Sequence, residues 1–224
     1  MSSFTVGLDL GQGQDYSALA VVERVLVLPP GVTLGDFHRR PQAFSELSEQ
    51  LRVRHLRRWE LGTPYPSIVS DVVTMMRAPI MDDALLLIDG TGVGRAVRDM
   101  FRDAWHASSF GVWMPVAVTV TGAQRRHGWH VPKSDLMAAI QVPLQQGRLK
   151  IAPRLALGDV LERELVGFRQ KISASGRDTY DIPRRDGEGH GDLATALALA
   201  LFQPNTYRRP DVVENAEQIR RASE

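Results

Sequence analysis

An aspartate set into an apolar strand constrains this chain more than any other feature. The run Val6-Gly7-Leu8-Asp9-Leu10-Gly11-Gln12-Gly13 reads as a short strand entering a glycine turn. A carboxylate flanked by Leu8 and Leu10 destabilises such a strand unless something answers its charge. Two further aspartates stand at comparable places. Asp89 ends Leu85-Leu86-Leu87-Ile88 and is followed by Gly90, Gly92 and Gly94, while Asp192 follows His190-Gly191 and opens an apolar stretch from Leu193 to Phe202. Carboxylates held ~4 Å apart repel by a few kcal/mol per pair at an effective dielectric of about 20. A fold that gathers all three is most simply stabilised by a divalent cation, which points to metal-dependent chemistry on phosphate. Each residue also has a plainer role open to it: Asp192 as a helix N-cap, and Asp89-Gly90 as a turn at a strand end.

The order of elements decides whether they meet. Phe4 to Leu10 is apolar, and Ser17 to Leu28, rich in Val, Leu and Ala, is its expected hairpin partner before Pro29-Pro30-Gly31 stops it. The polar stretch to about Gln50 reads as a loop. Leu51 to Trp59 alternates, predicting a third strand with Leu51, Val53, His55, Arg57 and Trp59 on one side. Arg52, Arg54, Leu56 and Arg58 form the other, basic side. The period then lengthens: Ile68, Val69, Val72, Val73 and Met76 predict a helix that Pro79 ends. Ala84 to Ile88 follows as a continuous apolar run, expected of a strand covered on both faces. A helix over Val93 to Trp105 and a strand over Val112 to Val120 come next. Helices are expected over Pro132 to Gln146, kinked or divided at Pro143, over Gly158 to Ile172, and from about His190. Arg177 to Ile182 is a candidate short strand. Residues 1–204 are expected to form one domain and 205–224 a polar tail.

The expected architecture is α/β: a five-stranded mixed sheet, three strands in a meander and two parallel, flanked by helices. The first and fourth strands lie side by side in it, about 4.8 Å apart. Asp9 and Asp89 would then share the carboxyl edge of the sheet, where ligands of such folds bind.

Composition removes several classes. With no cysteine among 224 residues, disulfides and thiolate zinc sites are excluded. No secretory signal is read at the N-terminus, and the longest apolar stretch is about half a bilayer span, so a soluble, cytoplasmic protein is expected. A net charge of +1 leaves a nucleic-acid partner open. The turn Gly90-Thr91-Gly92-Val93-Gly94 departs from the dinucleotide-binding spacing, and a Walker-type loop is absent. Asp9-Leu10-Gly11 with Asp89-Gly90-Thr91 also matches the phosphate turns of actin-like ATPases, leaving a nucleotide phosphotransferase as a rival.

Five stretches, taken in order, carry a resemblance. They are Gly7-Leu8-Asp9-Leu10-Gly11-Gln12-Gly13-Gln14-Asp15-Tyr16-Ser17-Ala18, Arg58-Trp59-Glu60-Leu61-Gly62-Thr63-Pro64-Tyr65-Pro66, Leu87-Ile88-Asp89-Gly90-Thr91-Gly92-Val93-Gly94, Val131-Pro132-Lys133-Ser134-Asp135-Leu136 and Gly189-His190-Gly191-Asp192-Leu193. Together they resemble the nuclease domain of the large subunit of tailed-phage terminases, an RNase H-like fold, from about Thr5 to Phe202. The resemblance implies an endonuclease that cuts double-stranded viral DNA during genome packaging, using two Mg2+ or Mn2+ ions. It assigns metal binding and catalysis to Asp9, Asp89 and Asp192. Where the family often carries a second acidic residue beside the last of these, this chain has Leu193, leaving Asp15 or Glu188 as substitutes. Lys133 and the arginines would hold the phosphate backbone. The implied partners are DNA and a separate packaging ATPase, portal or small terminase subunit, with no membrane. A Holliday-junction-type resolvase shares the same sheet and acidic cluster, and a non-catalytic docking module that binds DNA through its arginine strand is a third possibility.

Overall fold

Apolar runs of strand length pair into one sheet in the computed structural model, which describes residues 3–11, 13, 15–39, 47–91, 94–106, 115–122, 129–167, 169–172, 178–181, 191–202 and 211–213. β1 (Ser3–Asp9), β2 (Ala18–Val27) and β3 (Ser48–Arg58) form an antiparallel meander. β4 (Leu85–Asp89) runs parallel to β1, with Leu8 opposite Ile88, and β5 (Val116–Thr121) lies parallel beyond β4. This is the expected five-strand arrangement, but the sheet is larger. β6 (His130–Pro132) and β7 (Leu149–Ile151) extend it to the order β6-β5-β4-β1-β2-β3-β7. Three-residue strands are too short to leave a readable alternation, so the sequence does not announce them.

A separate two-stranded sheet joins β8 (Arg169–Ile172) to β9 (Asp178–Asp181). β10 (Asp211–Val213) runs parallel to β2 beside Val25 to Val27, so part of the polar C-terminal stretch pairs with the main sheet as an eighth strand.

Helices cover both faces. α1 (Leu34–Arg39) is a short helix in the stretch read as loop. α2 (Tyr65–Met76) and α3 (Gly94–His106) pack on one face, where Val6, Leu8, Leu19, Val21, Leu86 and Ile88 meet Ile68, Val72, Val97 and Phe101. On the other face lie α4 (Lys133–Gln145), α5 (Gly158–Gly167) and α6 (Asp192–Leu201), packed with Ala18, Ala20, Val22, Leu51, Val53, Leu56 and Leu87. α6 is apolar all round and buried almost throughout, as a helix wedged between a sheet and other helices must be.

Three expectations about helices change. α4 continues through Pro143 as one helix, because only the single bond toward the turn before is lost there, near its end. α5 stops at Gly167, and residues 169–172 pair as a strand instead of continuing to Ile172. The last helix begins at Asp192, because Gly191 has φ 83°, a left-handed conformation that breaks the helical path.

β3 also departs from simple alternation. Val21 faces His55 while Val22 faces Val53, leaving Arg54 as an inserted residue. This bulge shifts the phase of everything after it. Leu51 and Val53 share the α6 face with Leu56, three positions on, whereas Trp59 joins the opposite core. Arg58 therefore turns toward α6 instead of forming an outer basic side with Arg52 and Arg54.

Candidate metal centre

The strand period of two places the first two aspartates. Gly7 lies against α6, and Asp9 is two positions on, so it shares that face. Leu87 packs in the α6 core, and Asp89 is two positions on in turn. With Leu8 opposite Ile88, the aspartates follow side by side at the ends of adjacent parallel strands. Asp192, buried at the first position of α6, comes from above. What lets α6 approach is Gly7: a Cβ there would sit 2.0 Å from the Ala196 carbonyl oxygen and 2.6 Å from the Ala200 nitrogen. Helix backbone thus rests on strand backbone one turn away from Asp192.

Charge gathers at Asp9. Burial of its carboxyl raises its pKa well above the usual carboxylate range, and the charges of Asp89, Asp192, Asp15 and Glu164, in that order, raise it further. Asp89 is raised by burial too, against the pull of Thr91. The Thr91 N–H donates to Asp89 Oδ1 at 2.8 Å, the Gly90 N–H donates to the Val118 carbonyl at 2.7 Å, and Val120 N–H donates to Thr91 Oγ1 at 3.2 Å. The turn after β4 therefore fixes the Asp89 carboxylate relative to β5.

The loop after β1 folds back on itself. The Gly11 N–H donates to Ser17 Oγ at 3.1 Å, and the Tyr65 hydroxyl donates to the Gly11 carbonyl at 2.9 Å. A Cβ at Gly11 would lie 2.1 Å from the Asp15 carbonyl oxygen, so the chain crosses itself closely and returns Asp15 toward Asp9. Tyr65 belongs to the Arg58–Pro66 stretch, which thus braces the loop that carries Asp15.

One residue at this site escaped the sequence reading, and Arg58, expected on an outer basic side, stands beside it. Glu164 on α5 is buried, 7% exposed, with Oε1 paired to Arg58 Nη2 and Oε2 accepting the Ala194 N–H at 2.9 Å. Burial pushes its carboxyl up to about 7, opposed by the Ala194 N–H and Arg58. The one local sign was its position three residues after Leu161, on the buried stripe of α5. Arg58 Nη2 also stands 4.0 Å from Asp192 Oδ2, and its guanidinium lies 4.8 Å from the centre of the Tyr16 ring.

The other arginines of β3 do not make an open basic stripe. Arg52 bonds Gln50, Arg54 pairs with Glu23 at 3.5 Å, and Arg57 pairs with Asp71 over the face of Trp59. Lys133 is exposed at the start of α4. Glu188 and His190 lie outside the described residues.

The donor set is made of carboxylates alone, which suits a hard divalent cation, and mutual repulsion at Asp9 is what such an ion relieves. Among the described residues, no three acidic or histidine side chains stand close enough together to grip an ion as they are placed. Among the described residues, no helix is long and apolar enough to cross a membrane.

No family model and no curated protein matches the sequence. Solved structures do. The nuclease domain of the large terminase subunit gp2 of bacterial virus Sf6 aligns with 90% of this chain and 88% of its own, at TM-score 0.57 and 14% identity. The large terminase nuclease of thermophilic phage G20c aligns with 89% of this chain and 80% of its own, at TM-score 0.55 and 22% identity. The whole HK97 bacteriophage large terminase matches 90% of this chain over 39% of its length, at TM-score 0.51 and 14% identity. The fold of this chain is that of the nuclease domain of the phage terminase large subunit.

Proposed function

We propose that this chain is a divalent-metal-dependent endonuclease that cuts double-stranded viral DNA during genome packaging, with Asp9, Asp89 and Asp192 holding Mg2+ or Mn2+. The observation that carries this reading is the placement of Asp9 and Asp89 side by side at the ends of adjacent parallel strands, with Asp192 buried at the head of the helix packed on the same face. Structures of the same fold have been solved with magnesium, cobalt and manganese. A pair of such ions, when bound, would activate water and stabilise the leaving 3′ oxygen of a phosphodiester.

The residues divide the remaining work. Asp9, whose carboxyl feels the charges of both Asp89 and Asp192, would be the shared ligand of the centre. Asp89 is held by its turn so that Thr91 fixes one oxygen. Asp192 brings its carboxylate in on α6, and Asp15 adds negative charge from the folded loop. Lys133 and exposed arginines would hold the phosphate backbone, contacts that are blind to sequence and weaken with salt. Residues 1–204 would form the nuclease domain and 205–224 a tail of which Asp211–Val213 adds a strand beside β2, the chain acting with a packaging ATPase, portal or small terminase subunit.

Plasmid nicking tests the proposal. The purified chain should cut supercoiled DNA with Mn2+ or Mg2+ and stop when chelator is added. Cleavage unaffected by chelator would remove metal from the mechanism, and no cleavage with either ion would remove the nuclease.

A further inference from the structure

An ion pair joins buried Glu164 to part-buried Arg58, 106 positions away in sequence, beside the first turn of α6. A pair of this kind is poorly explained by stability, because well-packed apolar residues of similar volume do as well or better. Its placement is also expensive, since the buried Arg58 Nε has no hydrogen-bond partner among the described residues. What the pair touches is more informative.

The N-cap of α6 is Gly191, which has no side chain to receive the free N–H groups of the first turn. Glu164 takes that role from another helix, with Oε2 accepting the N–H of Ala194, the third residue of α6. Its Oε1 engages Arg58, whose Nη2 faces Asp192 Oδ2 at 4.0 Å. Arg58 in turn lies over Tyr16, next to Asp15 in the loop that follows β1. One ion pair therefore ties β3, α5, the Asp15 loop and the residue at the head of α6. It reaches this place only because the Arg54 bulge turns Arg58 to the α6 face.

We infer that Arg58 and Glu164 are positioning residues that fix the Asp192 carboxylate toward Asp9, and that they set the affinity of the centre for its metal. Glu164 acts through Asp192, because both of its oxygens are engaged by protein donors. The inference rests on the reading of Asp9, Asp89 and Asp192 as a metal centre. Outer partners of metal ligands commonly change metal affinity by about 10- to 100-fold when altered.

The test is Mn2+ binding to the full chain, followed by titration calorimetry and by the loss of the free-ion spin-resonance signal, with Asp192→Asn as reference. Glu164→Gln keeps the shape but turns an amide donor against either Arg58 or the Ala194 N–H. Arg58→Lys keeps the charge but loses the planar fork. Each should weaken Mn2+ binding about tenfold or more. DNA cleavage by both variants should need correspondingly more Mn2+ and recover at saturation.

A double variant, Arg58→Met with Glu164→Leu, separates positioning from packing. It should restore or exceed the melting temperature of the metal-free single variants while Mn2+ binding stays weak. Unchanged Mn2+ affinity in Glu164→Gln and Arg58→Lys, with the unaltered chain binding, overturns the positioning role and leaves the metal centre standing. Restored affinity in the apolar double variant overturns it as well. Absence of Mn2+ binding by the unaltered chain overturns both the metal centre and this inference.

Discussion

The two faces of the central sheet are made by the same strands and do different work. Facing α2 and α3, the side chains of Val6, Leu8, Leu19, Val21, Leu86 and Ile88 meet an apolar helix surface. Facing α6, the intervening positions include Gly7, Asp9 and Asp89, joined by Asp192, Glu164 and Arg58 from other segments. Neighbours in sequence such as Leu8 and Asp9, or Ile88 and Asp89, thus belong to different halves of the molecule. Alternation lets one strand anchor itself in a dry core while presenting a charge on its other side. Both faces are apolar over most of their area, and that burial supplies the stability against which repulsion at the aspartate end of the α6 face is tolerated.

Substitutions on the two sides should therefore separate stability from chemistry. The largest effect is expected of Asp89→Asn, which should slow DNA cleavage about a thousandfold or more, equivalent to ~4 kcal/mol of activation free energy. The metal-free melting temperature should hold or rise, since one of the charges acting on Asp9 has gone. Cleavage near the unaltered rate would show that Asp89 is not part of the centre.

Leu8→Ala should do the reverse. Loss of a fully buried side chain costs about 3 kcal/mol in a denaturant titration, with the cleavage rate per folded molecule unchanged. A selective loss of activity there would mean that the faces are not independent.

Gly7→Ala probes the one place where the distinction should fail. The added methyl meets the Ala196 carbonyl at 2.0 Å, so α6 must shift, costing about 1–3 kcal/mol of stability. Because α6 carries Asp192, cleavage should fall too. Full activity with reduced stability would show that the Asp192 position tolerates movement of its helix.

The subtlest effect is on pH dependence. Asp9 has a folded pKa raised above its ordinary 3.8, so its contribution to stability is complete below that value and is lost as pH rises through the raised one. In metal-free buffer the unaltered chain should therefore lose stability relative to Asp9→Asn as pH increases above 3.8, and excess Mn2+ should cancel the loss. Melting curves at a series of pH values check this, and a relative gain in stability with pH would contradict the crowding of charge at Asp9.

The sequence was most legible where apolar runs were long. The meander and the β1–β4 neighbourhood followed from continuous strands, and the juxtaposition of Asp9 and Asp89 followed from those. The outer three-residue strands had too few residues to set a period. The bulge at Arg54 was hidden because Arg52, Arg54, Arg57 and Arg58 look alike on either side of it, so nothing marks where the phase shifts. Glu164 was hidden for another reason: its partner Arg58 is 106 positions away, and an ion pair between distant segments leaves no local trace. Such pairing depends on which helix lands on which strand, and that is settled only by the assembled fold.

The bare hydrogen of Gly7 has a mechanical consequence. With no side chain between α6 and β1, nothing compressible cushions the two, and the strand that carries Asp9 moves as one strut with the helix that carries Asp192. Their main-chain separation is then set when the protein folds. Any ion held between them would have to be gripped by short carboxylate rotations, leaving the frame as it stands.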